Sequence, residues 1–280
     1  MSASDEKLNG LLNASGFAYQ LGLEAAVLGM KKGNPWHVTS REHSWRTETA
    51  SGFIDMVLSN GNIHLVIECK RTRDATWMFL MPDKNQMKRS HARICWTDTY
   101  PHQRALTGWG DVQVYPACPE SEFCAIRGQG EGHTPLLERL AASVVESSDG
   151  LAADFLELTA ESAAYHLIVP VIVTNASLLT AAFDPRDVDL GNGELKSAEY
   201  DDVPYVRFRK SLGPSESPIE YDPESLEELA AGSERTVFVV HGPAFTQWLA
   251  DFQTEGQSGS SPWVNAREAA KAMAGVVRTG

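Results

Sequence analysis

Residues 165–176 read "YHLIVPVIVTNA", a nearly unbroken run of Val, Ile and Leu. A strand with one wet face alternates polar and apolar side chains, whereas a continuous apolar run needs cover on both faces. Such a strand commits the chain to a sheet buried between layers. Helical patterns flank it in sequence. Phe17, Leu21, Ala25 and Leu28 recur at intervals of three and four, with Lys31-Lys32-Gly33 as a stop. Thr134-Pro135 reads as a second helix start, with Leu136, Leu137, Leu140, Ala141, Val144 and Val145 as its apolar stripe. "GLAADFLELTAESAA" is a separate helical piece, "PDKNQMKRSHARICW" reads as a helix and residues 36–49 as extended chain. Further strands are expected at "VPYVRFRKSL" and "RTVFVVHG", and a helix at "PAFTQWLADF". "TEGQSGSSP" reads as a loop ahead of a short Ala-rich helix. Helices alternating with strands indicate an α/β fold with a mixed sheet.

A chain of 280 residues can bury a sizeable core as one elaborated domain, or as a core with an extension. No apolar run approaches the roughly 20 residues that span a bilayer. The start, "MSASDEKLNG", has no apolar signal core. Four cysteines are too few for a disulfide scaffold, so the expected compartment is a reducing cytoplasm. The net charge of -13 argues against a broad basic coat for loose nucleic-acid binding. Its distribution matters more than its sum. Lys70, Arg71, Arg73, Lys84, Lys88, Arg89, Arg93 and Arg104 supply eight of the 24 basic residues, opposed only by Asp74, Asp83 and Asp98. From Glu138 to Glu234 acids dominate. A local basic strip on an acidic body confines polyanion binding to one place.

The chemistry concentrates in residues 52–71, "GFIDMVLSNGNIHLVIECKR". Two apolar runs flank Asn60-Gly61, a two-residue hairpin signal. Pleat alternation puts Ile54, Met56 and Leu58 on one face with Ile63, Leu65, Ile67 and Cys69. Asp55, Glu68 and Lys70 share the other face with Phe53, Val57, His64 and Val66. With Asn60-Gly61 as the turn, Asp55 stands opposite Val66 and diagonal to Glu68, about 5–8 Å away. Two carboxylates so placed suit one hard divalent cation, Mg²⁺ or Mn²⁺. Phosphodiester hydrolysis needs a polarised phosphoryl oxygen and an aligned water. Asp55 and Glu68 would hold the metal, Lys70 would orient the water or offset developing charge, and Arg71 and Arg73 would hold neighbouring phosphates.

Asp55 followed by Glu68-Cys69-Lys70 at the end of the next strand resembles the signature of the PD-(D/E)XK, or restriction-endonuclease-like, nuclease superfamily. The resemblance implies a core of helix, three-strand meander, helix and strand, an order that fits residues 15–175. It implies a nuclease-like core over 1–180, with 181–280 as a C-terminal α/β extension packing on or continuing it. It also implies a glutamate on the preceding helix that joins the metal shell, matched by Glu24, and in some members a later glutamine, for which Gln86 is the candidate. Ile54 stands where the signature has proline, a departure that removes no chemical group. A magnesium-dependent endonuclease acting on DNA, with a role in bacterial defence, is the implied activity. The basic, Trp-bearing segment 70–109, including Lys88 and Arg89, would meet the nucleic-acid backbone. The acidic C-terminal region would serve as an oligomerisation or partner surface.

Blander readings exist for each feature. A charged strand face is often a solvated ion pair, contributing about 0–1 kcal/mol; apolar neighbours on the same face argue against that here. Glu24 also fits the surface of an amphipathic helix, and Arg71 and Arg73 also fit local ion pairs. His64 reads as a packing residue rather than a base. Cys95, Cys118 and Cys124, with His91 or His133, match no paired zinc-ligand spacing. "VVHGPAF" comes without a nucleophile turn, and no phosphate-cradling glycine loop is present. The competing function is a catalytically inactive module of the same fold that binds nucleic acid or a protein. An RNA nuclease is a third option.

Overall fold

The computed structural model describes residues 3–30, 33–47, 50–73, 75–82, 87–99, 105–127, 135–213 and 226–254. The sequence expectations for Lys31, Lys32, Asp74, Asp83, Lys84, Gln86, Arg104, His133, Thr134 and residues 255–280 lie outside these. Two helices open the chain, α1 (Ala3–Ser15) and α2 (Phe17–Leu28). An antiparallel meander follows: β1 (His37–Arg46), β2 (Ser51–Asn60) and β3 (Ile63–Lys70). Then come β4 (Thr76–Met81), β5 (Arg89–Thr99), β6 (Leu106–Cys118), β7 (Glu120–Ser121) and β8 (Cys124–Ile126). The long helix α3 (Leu136–Leu158) leads into β9 (Ala164–Thr174) and β10 (Ser177–Ala182). After β11 (Glu199–Asp202) and β12 (Tyr205–Ser211) come α4 (Leu226–Ser233), β13 (Glu234–His241), α5 (Phe245–Asp251) and β14 (Gln253–Thr254).

The class is α/β, built on a large mixed sheet. β9 is its axis. It runs parallel to β3 along the whole of β3, from Ile63↔Leu167 to Lys70↔Thr174. Its other edge is shared: β5 pairs antiparallel with Ala164–Ile168, and β13 pairs parallel with Val171–Thr174. The sheet therefore forks into a β13-β12-β7 branch and a β5-β6-β14 branch. Proline is tolerated in a central strand only where pairing is interrupted. Pro170 falls in the gap between the two ladders. A second sheet, β11-β10-β4-β8, stands apart from the first.

Two cores form. One holds Leu23 and Val27 of α2, Met56, Leu58, Leu65, Ile67, and Phe245 and Trp248 of α5. The other holds Val57, Val66, Ile168 and Ile172 with Leu137, Ala141, Val144 and Val145 of α3, and Trp77 and Phe79 of β4. The expected two-sided cover of 165–176 is present: residues 167–174 are all buried. No helix among the described residues is long and apolar enough to cross a membrane.

Several sequence expectations need correction. The stripe of α2 faces outward: Phe17, Leu21 and Leu28 are 61%, 59% and 64% exposed, while Leu23, Glu24 and Val27 are buried. The helix is apolar on two stripes, and packing against the sheet selects the second. Within "PDKNQMKRSHARICW", residues 89 onward form β5 rather than a helix. Ala92, Ile94 and Trp96 enter one core and Cys95 the other, which is a period of two. The two helical pieces after Pro135 form a single 23-residue helix. The hairpin turn is Gly61-Asn62, between the paired Asn60 and Ile63.

Candidate active site

That shift in the turn improves the expected arrangement of acids. The β2–β3 ladder runs from Asn60↔Ile63 to Met56↔Ile67. Continued one further step, that register would bring Asp55 level with Glu68, not Val66. The ladder ends there because Asp55 intervenes: the Cys69 backbone N–H donates to Asp55 Oδ2 at 2.7 Å.

The meander is irregular at the same level. Residues two apart on a strand ordinarily share a face, yet Arg41 pairs with Met56 and ion-pairs with Glu24 of α2, while His43 pairs with Ile54 and bonds Asp154 of α3 at 2.8 Å. Both strands change face between these pairs. Ile54 consequently joins the α3-side core and Met56 the α2-side core, correcting the expectation that they share a face. The cause sits at Glu42, a non-glycine residue with φ 45°. That left-handed conformation is sterically costly for an L side chain and persists only where its surroundings hold it. Gln20 of α2 supplies one hold. Its Nε2 donates to Glu42 Oε1 at 2.6 Å and to the Asp55 carbonyl at 2.9 Å.

Electrostatics mark these groups as one cluster. Burial pushes the Glu68 carboxyl up to about 7; the Asp55 charge adds to the rise, Lys70 opposes it and Glu42 adds further. Asp55 is also raised, chiefly by burial, while the Cys69 N–H and Lys70 pull it down and Glu42 pushes it up. Lys70 acts on both acids through space but makes no hydrogen bond or ion pair with a described residue. The bland reading of this face, a closed cross-strand ion pair, does not describe it.

The other expected residues are placed unequally. Glu24 is buried at 5% exposure and carries the ion pair with Arg41; it is not among the groups that shift Asp55 or Glu68. Gln20, one turn earlier on α2, reaches the site instead. Arg71 and Arg73 follow Lys70 directly, Arg71 half-buried and Arg73 exposed. Between them Thr72 is clamped by Asn175, which accepts from the Thr72 N–H at 2.6 Å and donates to its carbonyl at 2.9 Å. Lys88 and Arg89 are exposed. Arg89 pairs with Cys118 of β6 and acts on the charge of Glu120 of β7. Neither Lys88 nor Arg89 is among the charges that shift Asp55 or Glu68. His64 is a buried packing residue: it bonds Ser59 Oγ at 2.8 Å and His166 at 2.9 Å, and Phe155 lies against its ring.

Two participants had no signal in the sequence. Glu42 lies in the mixed segment "HVTSREHSWR", where nothing announces a left-handed residue, and Gln20 sits on the polar side of an ambiguous helix.

Among the described residues no group of three or more His, Cys, Asp or Glu side chains is arranged to hold a metal ion. The donor set is two carboxylates, Asp55 with one oxygen already engaged, and Glu68. Magnesium is commonly held by one or two carboxylates with retained waters and substrate phosphates. Two neighbouring half-buried acids, each raised by the other or by burial, also suit a cation that would offset their repulsion. The residues fit such an ion without a third protein ligand. The chain matches no protein-family model, no curated protein and no solved structure.

Proposed function

We propose that this chain is a metal-dependent nuclease of the restriction-endonuclease-like class that hydrolyses phosphodiester bonds, with DNA as substrate. The observation that carries the reading is the Asp55 carboxylate accepting the Cys69 N–H, between Glu68 and Lys70 at the end of β3, with Lys70 making no bond to a described residue. The order α2, β1-β2-β3, α3, β9, with β9 parallel to β3, supports the same reading. It departs from a minimal core in carrying β4–β8 between β3 and α3.

The chain's own residues divide the work. Asp55 and Glu68 would hold Mg²⁺ or Mn²⁺, which when bound would polarise the phosphoryl oxygen and acidify a water. Asp55 is fixed by the Cys69 N–H, so its free oxygen has one orientation. Lys70 presents an ammonium beside the acids, able to orient the attacking water and to stabilise charge on the phosphoryl oxygens. Arg71 and Arg73 extend the positive potential along the strand end. Gln20 holds the Asp55 backbone from the α2 side and ties it to Glu42.

A second reading, a non-catalytic module that binds nucleic acid or a protein, is favoured by one observation: Glu24, the expected third acid, is committed to Arg41. One experiment separates the two. Supercoiled plasmid, single-stranded DNA and single-stranded RNA are incubated with protein and Mg²⁺ or Mn²⁺, with and without EDTA, beside Lys70→Ala and Glu68→Ala. Cutting that requires metal and both side chains supports the nuclease, and the substrate cut names its class. Binding without cutting under every metal supports the module. Neither binding nor cutting removes both.

A further inference from the structure

Three parallel strands end together beside the candidate site. Lys70 of β3 is in register with Thr174 of β9, and Thr174 with His241 of β13. Residues in register on parallel strands point to the same face. The core memberships agree: Ile172 and Val239, two residues earlier on their strands, both lie in the α3-side core, while Val173 and Val240 lie in the other. Lys70, Thr174 and His241 thus form one row on one face, with His241 two inter-strand spacings, about 10 Å, from Lys70. The carboxyl ends of parallel strands are where open α/β sheets bind ligands.

The members of the row differ in availability. Thr174 is fully buried and its Oγ1 accepts the Ala176 N–H at 3.1 Å. Lys70 has no bonded partner among the described residues. His241 is half-buried; its backbone N–H is fixed to the Pro204 carbonyl at 2.9 Å, but its imidazole makes no hydrogen bond, ion pair or ring contact with a described residue. A polar ring held on a strand end, with no partner among the described residues and level with an ammonium in the same state, is a donor without a described acceptor.

We propose that His241 is a phosphate-binding residue: its imidazole N–H donates to a backbone phosphate of a nucleic-acid strand whose scissile phosphate sits at Asp55, Glu68 and Lys70. The inference rests on the nuclease reading and deepens it, because it sets the direction of the strand. The backbone crosses the ends of β3, β9 and β13 in that order, with Arg71 and Arg73 flanking the β3 end. No other residue on the row competes for the position, since Thr174 is spoken for.

The test is a fluorescein-labelled single-stranded DNA oligonucleotide and its duplex, with binding measured by anisotropy in Ca²⁺ and cleavage measured in Mg²⁺ or Mn²⁺. His241→Ala should weaken binding and raise KM about five- to tenfold, the scale of one hydrogen bond to a charged group, with kcat within about twofold. His241→Gln, which restores an N–H donor, should recover most of the loss. A wild type that cuts while His241→Ala leaves both binding and KM unchanged overturns the subsite alone. So does a loss that His241→Gln fails to recover, because that marks a packing role. A wild type that neither binds nor cuts overturns the nuclease reading, and the subsite with it.

Discussion

The Cys69 backbone N–H donates to Asp55 Oδ2 at 2.7 Å, closing the β2–β3 hairpin with a side chain where a ladder bond would stand. The bond keeps the Asp55 carboxylate level with Glu68, and the Asp55 charge is the second cause, after burial, of the raised Glu68 carboxyl. Asp55→Asn retains an acceptor for Cys69 and removes the charge. The Glu68 midpoint should then fall below about 7 while staying above the ordinary glutamate range, because burial remains. Carboxyl-labelled NMR in the metal-free protein reads this directly. An unchanged midpoint would show that the two acids are not neighbours.

Glu68→Gln should make the metal-free protein more stable at pH 8. With a folded carboxyl at about 7 and an unfolded one near 4.5, the folded state holds the extra proton between those values. Stability therefore falls as pH rises through that window. The variant escapes this penalty, gaining on the order of 1–3 kcal/mol above pH 7 and little below pH 4.5. Thermal melts across pH 4.5–8 check both the sign and the window.

The histidine chain should act in the opposite direction. Thr39 donates to Ser59 at 2.6 Å, Ser59 bonds His64, and His64 bonds His166. Burial drives His64 down to about 3, with His166 adding to the fall, and burial lowers His166 as well. The unfolded imidazoles take up protons near 6.5 and the folded ones do not, so stability falls as pH drops from 6.5 toward 3. Each histidine contributes a slope of up to about 1.4 kcal/mol per pH unit. His64→Gln should flatten this acid limb in denaturant titrations at pH 4–7. A limb of unchanged steepness would contradict the burial of His64.

Gly150 lies in the middle of α3, where alanine normally adds about 1 kcal/mol of helix stability. Here the sign reverses. A Cβ at Gly150 would sit 2.6 Å from Trp45 Cε3 and 2.9 Å from Trp45 Cβ, and Trp45 is itself buried. Gly150→Ala should destabilise by about 1–3 kcal/mol, read as a lower denaturation midpoint, because the α3–β1 contact must open.

What the sequence disclosed follows from the range of the forces involved. The run at 165–176 identified the central strand because two-sided burial leaves no polar residue to hide the signal. The hairpin acids were legible because pleat parity survives a one-residue error in the turn: moving it from Asn60-Gly61 to Gly61-Asn62 shifts each cross-strand partner by two residues, and a shift of two keeps the same faces together. The buried face of α2 was not legible, since Leu21 and Leu28 on one stripe and Leu23 and Val27 on another are equally apolar, and only the sheet decides between them. The strand at 89–99 was masked by Arg, His and Lys at helical intervals. Glu42 was invisible because nothing local marks a left-handed residue and its hydrogen-bond partner, Gln20, lies on another element, remote in sequence.

Cleavage of supercoiled plasmid at pH 8 by wild type and Glu68→Gln, both confirmed folded by their melts, decides whether the Asp55–Glu68 pair is catalytic. Wild type should cut in a metal-dependent way, and the variant should cut slower by about a hundredfold or more despite its equal or greater stability. Cutting by Glu68→Gln at the wild-type rate, or wild-type cutting that persists in EDTA, would contradict that role.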